Sequence, residues 1–234
     1  MISMMSFADL ISITNAIFGV LAILILSINF IEDINLKIHI SLSFIFLGLL
    51  ADGLDGIVAR RFGKSDIGVY LEAMADMSTM VIAPAVLIFF IYSNTITETI
   101  RLLYLFVAVG LFLFFGIVRL ASFNIMKEKK YYIGLPASAS SIILLIFAYF
   151  QLDFIFILPS VIIIGAFMAS DILFLKTGKI LNSIALILIF LTIFFGRSFY
   201  GFAPYMLLAA ILLYSVAGPI FLFKKGVKLK HKHF

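Results

Sequence analysis

Long apolar runs dominate this chain, and short polar clusters separate them. The runs lie near residues 10–30, 38–61, 67–93, 100–126, 136–152, 154–175, 180–196 and 203–223. A helix needs roughly 20 apolar residues to cross the hydrocarbon layer of a bilayer, and these runs are of that order. The punctuation agrees: Pro136 follows K-E-K-K-Y-Y, K-T-G-K separates the sixth run from the seventh, and R-S-F-Y-G-F-A-P separates the last two. Pro84 and Pro159 fall inside runs and predict kinks. The pattern therefore predicts an all-α fold, a polytopic membrane helix bundle of about eight spans.

Composition sharpens this reading. With 64% hydrophobic residues over 234 positions and a mean hydropathy of +1.24, the chain is too apolar for a soluble domain. No Lys or Arg precedes Lys37, so the basic start of a cleaved signal peptide is missing and the N-terminus is expected to be retained. The lack of cysteine excludes disulfides, thiolate metal sites and Cys nucleophiles. Basic residues set the orientation. Arg60, Arg61 and Lys64, then Lys127, Lys129 and Lys130, then Lys176 and Lys179, and the tail lysines from Lys224 onward fall on one side. Only Lys37, Arg101 and Arg197 fall on the other. The first side, with both termini, is expected to be cytoplasmic in a cell-membrane protein. The basic tail, 224–234, reads as a segment attracted to anionic headgroups, without the aromatic interleaving or folded domain of a nucleic-acid binder. His39 stands alone near the other side and is not expected to be a ligand.

The chemistry is concentrated between Asp52 and Asp76. On a helix, Asp52, Asp55, Gly56, Ala59 and Arg60 share one face, and Gly68, Glu72 and Asp76 share another. Four carboxylates turned to lipid would cost about 10 kcal/mol or more, so they must be compensated. Hard divalent cations compensate carboxylates best. Gly56 and Gly68 leave room for a ligand between helices or for close helix packing. Arg60 suits phosphate oxygens.

This pattern, D-x-x-D-G-x-x-A-R followed by G-x-x-x-E-x-x-x-D, resembles the signature of the CDP-alcohol phosphotransferases. These are integral membrane enzymes that join a CDP-activated lipid or alcohol to a second alcohol. Two departures stand out: the spacing from Arg60 to Gly68 is one residue shorter than the family's usual spacing, and Glu72 stands where the family has aspartate. The resemblance implies a six-helix catalytic core over residues 1–175, two additional helices over 176–223, and the tail. It implies Mg2+ or Mn2+, two ions, held by Asp52, Asp55, Glu72 and Asp76, with Asp76 also the general base. Asn15, Gly56, Ala59, Arg60 and Gly68 fall on the nucleotide side, and a homodimer is left open.

Three further passages resemble the phosphatidylserine synthase branch: A-D-L-I-S-I-T-N-A-I-F-G at 8–19, A-D-M-S-T-M-V-I-A-P-A at 75–85, and V-R-L-A-S-F-N with Y-I-G-L-P at 118–136. They imply CDP-diacylglycerol or CDP-archaeol and L-serine as substrates, with Arg119 and Asn124 on the acceptor side. Arg119 could equally pair with Asp171 or a phosphate. Inositol phosphate or glycerol phosphate are the alternative acceptors, and more arginines would then be expected. A cation-coupled transporter would favour broken helices repeated in both halves, and no such repeat is legible.

Overall fold

The computed structural model describes residues 5–63, 65–123 and 131–226, most of them helical. In chain order the helices are α1 (Phe7–Ser27), α2 (Ile34–Phe62), α3 (Gly68–Asp76), a π-helical segment (Met77–Ile82), α4 (Ala83–Ser93), α5 (Thr99–Phe123), α6 (Ala137–Tyr149), α7 (Phe154–Met168), α8 (Lys179–Phe195) and α9 (Ser198–Lys224). The segment Gly68–Ser93 runs on as one rod, so the described helices form eight rods, matching the apolar runs. Five of them, α1, α2, the Gly68–Ser93 rod, α5 and α9, are long and apolar enough to cross a membrane. The chain is an integral membrane protein with an all-α architecture.

Local chemistry sets the helix ends. Ser6 and Asp9 form a reciprocal capping box at the start of α1, with the Ser6 amide donating to Asp9 Oδ2 at 2.7 Å. Asp33 caps α2 by accepting from the amides of Asn35 and Leu36, and Asp153 caps α7. At its other end α2 stops at Gly63, whose φ of +86° is open to glycine and whose amide closes on the Ala59 carbonyl.

Pro84 takes effect one turn before itself. It lacks the N–H that the Met80 carbonyl would accept, and the Ala83 amide reaches back five residues to Ser78, widening the rod into a π turn directly after Asp76. Pro159 is accommodated within α7.

The sixth run is not helical to residue 175. α7 ends at Met168, and the chain forms a short antiparallel strand pair across α6 and α7, β1 (Tyr131–Ile133) with β2 (Leu173–Leu175), in which Tyr132 faces Phe174. The reason is local. The Leu135 amide takes the Phe167 carbonyl at 2.9 Å and the Gly134 amide takes that of Ile172 at 2.8 Å, so the end of α7 is satisfied by the strand. Gly134 has φ +75° and lies against the Met168 carbonyl, where a side chain would collide. The helices it joins are short: α6, with 13 residues, spans roughly 20 Å.

Fully buried side chains from several rods fill the centre, among them Leu42, Ile45 and Phe46 of α2, Leu87 and Ile88 of α4, Leu105 and Phe112 of α5, and Leu144 to Ile146 of α6. The rods holding the acidic sequence are drawn close by small residues. Cβ atoms placed at Gly19 or Gly48 would lie 2.7 Å from Ser78 Oγ and 2.5 Å from Thr79 Cγ2. On the far side of the π segment, Gly116 of α5 admits Val81, whose Cγ1 would be 2.5 Å from an added Cβ.

That last contact makes a test. Gly116→Ala should overpack the interface and cost about 1–3 kcal/mol, seen as a lower Tm in detergent. Adding Val81→Ala removes both opposing methyls, so the double variant should melt above Gly116→Ala alone. An unchanged Tm in Gly116→Ala would show that the rods are not held this tightly.

Candidate functional site

The bundle brings the four motif acids together. Asp52 and Asp55 lie one turn apart on α2, and Glu72 and Asp76 one turn apart on α3, which α1 packs against from the other side. Each of Asp52, Asp55 and Glu72 offers a carboxylate oxygen such that these atoms lie within 4.8 Å of one another. Asp76 stands beside them, within hydrogen-bonding reach of Asp52 and in the field of Glu72 and Asp55. Asp55 is 1% exposed, so this is not a loose surface patch. An all-oxygen donor set at this spacing fits a hard divalent cation.

Gly56 of the motif behaves differently from the glycines at the rod contacts. Among the described residues a Cβ at Gly56 would meet just the Arg60 guanidinium, with Nη1 at 3.7 Å. Close packing therefore does not explain Gly56, which has open space beside it. Ala59 is half-buried on the same helix, and Arg60 is exposed in its last turn. Gly68 is buried at the first position of α3, where its amide donates to the Ser65 carbonyl.

α1 supplies a polar stripe through Ser12, Asn15 and Gly19. All three are buried, with Asn15 fully so. Asn15 Nδ2 donates to Asp76 Oδ1 at 3.4 Å, placing this nucleotide-side candidate against the acid cluster. Ser12, which the sequence reading passed over, donates to Asp55 Oδ2 at 2.5 Å. Its signal was present: Ser12 lies three residues before Asn15 and seven before Gly19, on one helix face. The π segment locks onto the same stripe, as Thr79 Oγ1 donates to the Asn15 carbonyl at 2.8 Å and Ser78 Oγ to that of Ala16 at 3.2 Å.

Arg119 enters from α5 and is 6% exposed. Its Nε donates to the Leu135 carbonyl at 3.4 Å, and its guanidinium lies over the Phe123 ring at 5.1 Å. Among the described residues no ion pair joins it to Asp171, which is exposed. Tyr132 of β1 lies in the field of both Arg119 and Asp52. Its ring stacks near Phe123 at 6.4 Å and carries Lys176 above it at 5.2 Å. Burial pushes the Tyr132 phenol above its ordinary pKa, Asp52 pushes it the same way, and Arg119 pulls it back. Tyr132 thus senses both charges. Asn124, Lys64, Lys127, Lys129 and Lys130 lie outside the described residues.

This arrangement suits a reaction at a polyanionic centre. Acids gather cations, an exposed arginine stands beside Gly56, and a second guanidinium is buried against Leu135 and Phe123. The comparisons agree with that chemistry. A family model for CDP-alcohol phosphatidyltransferase matches residues 5–174, which include all four acids, Asn15 and Arg119. A CDP-diacylglycerol–serine O-phosphatidyltransferase from Methanocaldococcus jannaschii is 33% identical over 172 residues, covering 72% of this chain and 73% of the relative. Its namesake from Helicobacter pylori J99 is 28% identical over 204 residues, covering 79% and 81%. An archaetidylserine synthase from Methanothermobacter thermautotrophicus is 30% identical over 145 residues, covering 60% and 56%. This chain belongs to the CDP-alcohol phosphatidyltransferase family.

Proposed function

We propose that the protein transfers the phosphatidyl-type group of a CDP-lipid, CDP-diacylglycerol or CDP-archaeol, to the hydroxyl of L-serine and releases CMP. The observation that carries the reading is the acid cluster, three carboxylates gathered within 4.8 Å with Asp76 beside them. The serine acceptor is supported by the names of the relatives and by Arg119, a buried guanidinium that no Asp or Glu pairs among the described residues.

Asp52, Asp55, Glu72 and Asp76 would hold Mg2+ or Mn2+, as two ions. When bound, such ions neutralise charge on a pyrophosphate and on an attacking oxygen. The chain's own groups do the rest. Asp76 takes the proton of the serine hydroxyl as that oxygen bonds to the lipid-side phosphorus. The bond from this phosphorus to the bridging oxygen breaks, and CMP leaves with the bridging oxygen. Asn15 holds the Asp76 carboxylate in place. Arg60 meets the pyrophosphate oxygens in the groove along Gly56, Ala59 and Gly68. Arg119 and Asn124 receive the acceptor, Arg119 through the serine carboxylate. The site faces the cytoplasm of a cell-membrane protein, a reading supported by the excess of Lys and Arg at its end of the bundle.

One assay tests the whole reading. Purified protein is given each CDP-lipid with radiolabelled serine, inositol phosphate or glycerol phosphate, with Mg2+ or Mn2+ and then with excess chelator. Label should enter lipid from serine, with CMP release, and stop on chelation. Incorporation from a phosphorylated acceptor alone would reassign the acceptor, and full turnover in chelator would remove the metals.

Asp76→Asn should lower kcat by about a hundredfold or more while CDP-lipid binding stays measurable, because an amide keeps the shape and cannot take the proton. Turnover near wild type would take Asp76 out of the proton's path.

Arg119→Lys and Arg119→Gln should raise KM for serine by about tenfold or more, roughly 1.4 kcal/mol, with KM for the CDP-lipid little changed. If both substrates weaken together, Arg119 is structural or binds phosphate.

A further inference from the structure

Serine and threonine hydroxyls inside helices ordinarily donate to the carbonyl one turn back. This chain follows the habit repeatedly: Thr14 donates to the Leu10 carbonyl at 2.9 Å, Ser43 to that of His39 at 2.7 Å, and Ser160 to that of Phe156 at 2.7 Å. Ser12, on the same helix as Thr14, departs from it. Its Oγ is 3.4 Å from the Ala8 carbonyl but 2.5 Å from Asp55 Oδ2 on the neighbouring helix. A hydroxyl has one proton, and the shorter contact to the charged acceptor takes it. Such O–H donors to carboxylates are short and about twice as strong as neutral ones. Ser12 is 3% exposed and Asp55 1%, so water does not compete freely for either group.

We infer that Ser12 is a positioning residue for Asp55: its hydroxyl fixes the rotation of this carboxylate and sets how tightly the acid cluster holds a divalent cation. The inference deepens the metal reading given above and rests on it. A donor on one oxygen removes part of the rotational freedom that Asp55 would surrender on binding a cation, and leaves the remaining lone pairs of the carboxylate for coordination. Outer groups of this kind are typically worth about 10–100-fold in metal affinity. α1 then acts on two acids from one face, on Asp55 through Ser12 and on Asp76 through Asn15.

The test is Mn2+ binding to the full-length protein in detergent, read by the EPR signal of free Mn2+ without substrates, for wild type, Ser12→Ala and Ser12→Thr. Thermal unfolding of each variant checks the fold. Ser12→Ala should raise the Kd for Mn2+ by about tenfold or more, and Ser12→Thr, which keeps the hydroxyl, should stay within about threefold of wild type. A purely structural role would lower Tm and leave the Kd alone. If Ser12→Ala does not fold, Ser12→Cys carries the test, because its weaker thiol donor fills similar space and should still weaken binding. Wild-type affinity in the folded Ala variant, or in the Cys variant where Ala fails, would overturn the role of Ser12 alone. A wild type that binds no Mn2+ would overturn the metal reading and this inference together.

Discussion

Four carboxylates brought together in an apolar bundle repel one another and resist leaving water, and most of the site follows from how the fold meets that constraint. Their rods have to approach closely enough for the acids to share one charge partner, yet leave space for it. Gly19 and Gly48 give the approach, admitting the π segment with its Ser78 and Thr79 hydroxyls. Gly56 gives the space, since among the described residues nothing but Arg60 lies within 4 Å of a Cβ built there. Gly48 and Gly56 of α2 thus serve opposite ends, one closing an interface and the other leaving open space.

The π segment belongs to the same solution. A regular α-helix through Asp76 to Pro84 would leave the Met80 carbonyl facing a residue without a donor. In the widened turn the Ala83 amide reaches Ser78, and Ser78 and Thr79 donate to the carbonyls of Ala16 and Asn15 on α1. The backbone defect sits next to the acid that carries the most direct role in the proposed chemistry. It also fixes Asn15, whose amide reaches Asp76. Local strain is thereby exchanged for contacts that hold the site.

Much of this was legible in the sequence because helical periodicity is simple. Spacings of three and four put Asp52 with Asp55 and Glu72 with Asp76, and apolar runs located every rod. What escaped depends on neighbours from other helices. Nothing in the residues around Ser12 says that its hydroxyl will pass over the Ala8 carbonyl for an acid far along the chain. Pro84 announced a kink, but whether a proline bends a helix or widens a turn depends on what packs beside it. The strand pair was hidden for a similar reason: its partners are far apart in the sequence, and the amides of Gly134 and Leu135 that take the carbonyls of Ile172 and Phe167 come from before α6.

That strand pair meets α9, which lies beyond the matched region. Tyr214 of α9 donates to the Leu175 carbonyl at 2.8 Å and packs its ring near Phe174, the residue facing Tyr132 across the strand pair. At the opposite end Arg197, between α8 and α9, donates to the Tyr149 carbonyl at 2.6 Å and to Asn35, while the Tyr149 hydroxyl meets His39. Polar contacts are sparse in a bundle whose rods are otherwise joined by apolar packing, and each unsatisfied group there is expensive. Fastening at its start and again at Tyr214 therefore sets the position of α9 along the core. Tyr132, which feels the charges of both Arg119 and Asp52, takes its place from strand pairing with Phe174, and β2 in turn is held by Tyr214 of α9. The surroundings of the buried guanidinium are thus shaped by residues outside the motif as well as within it.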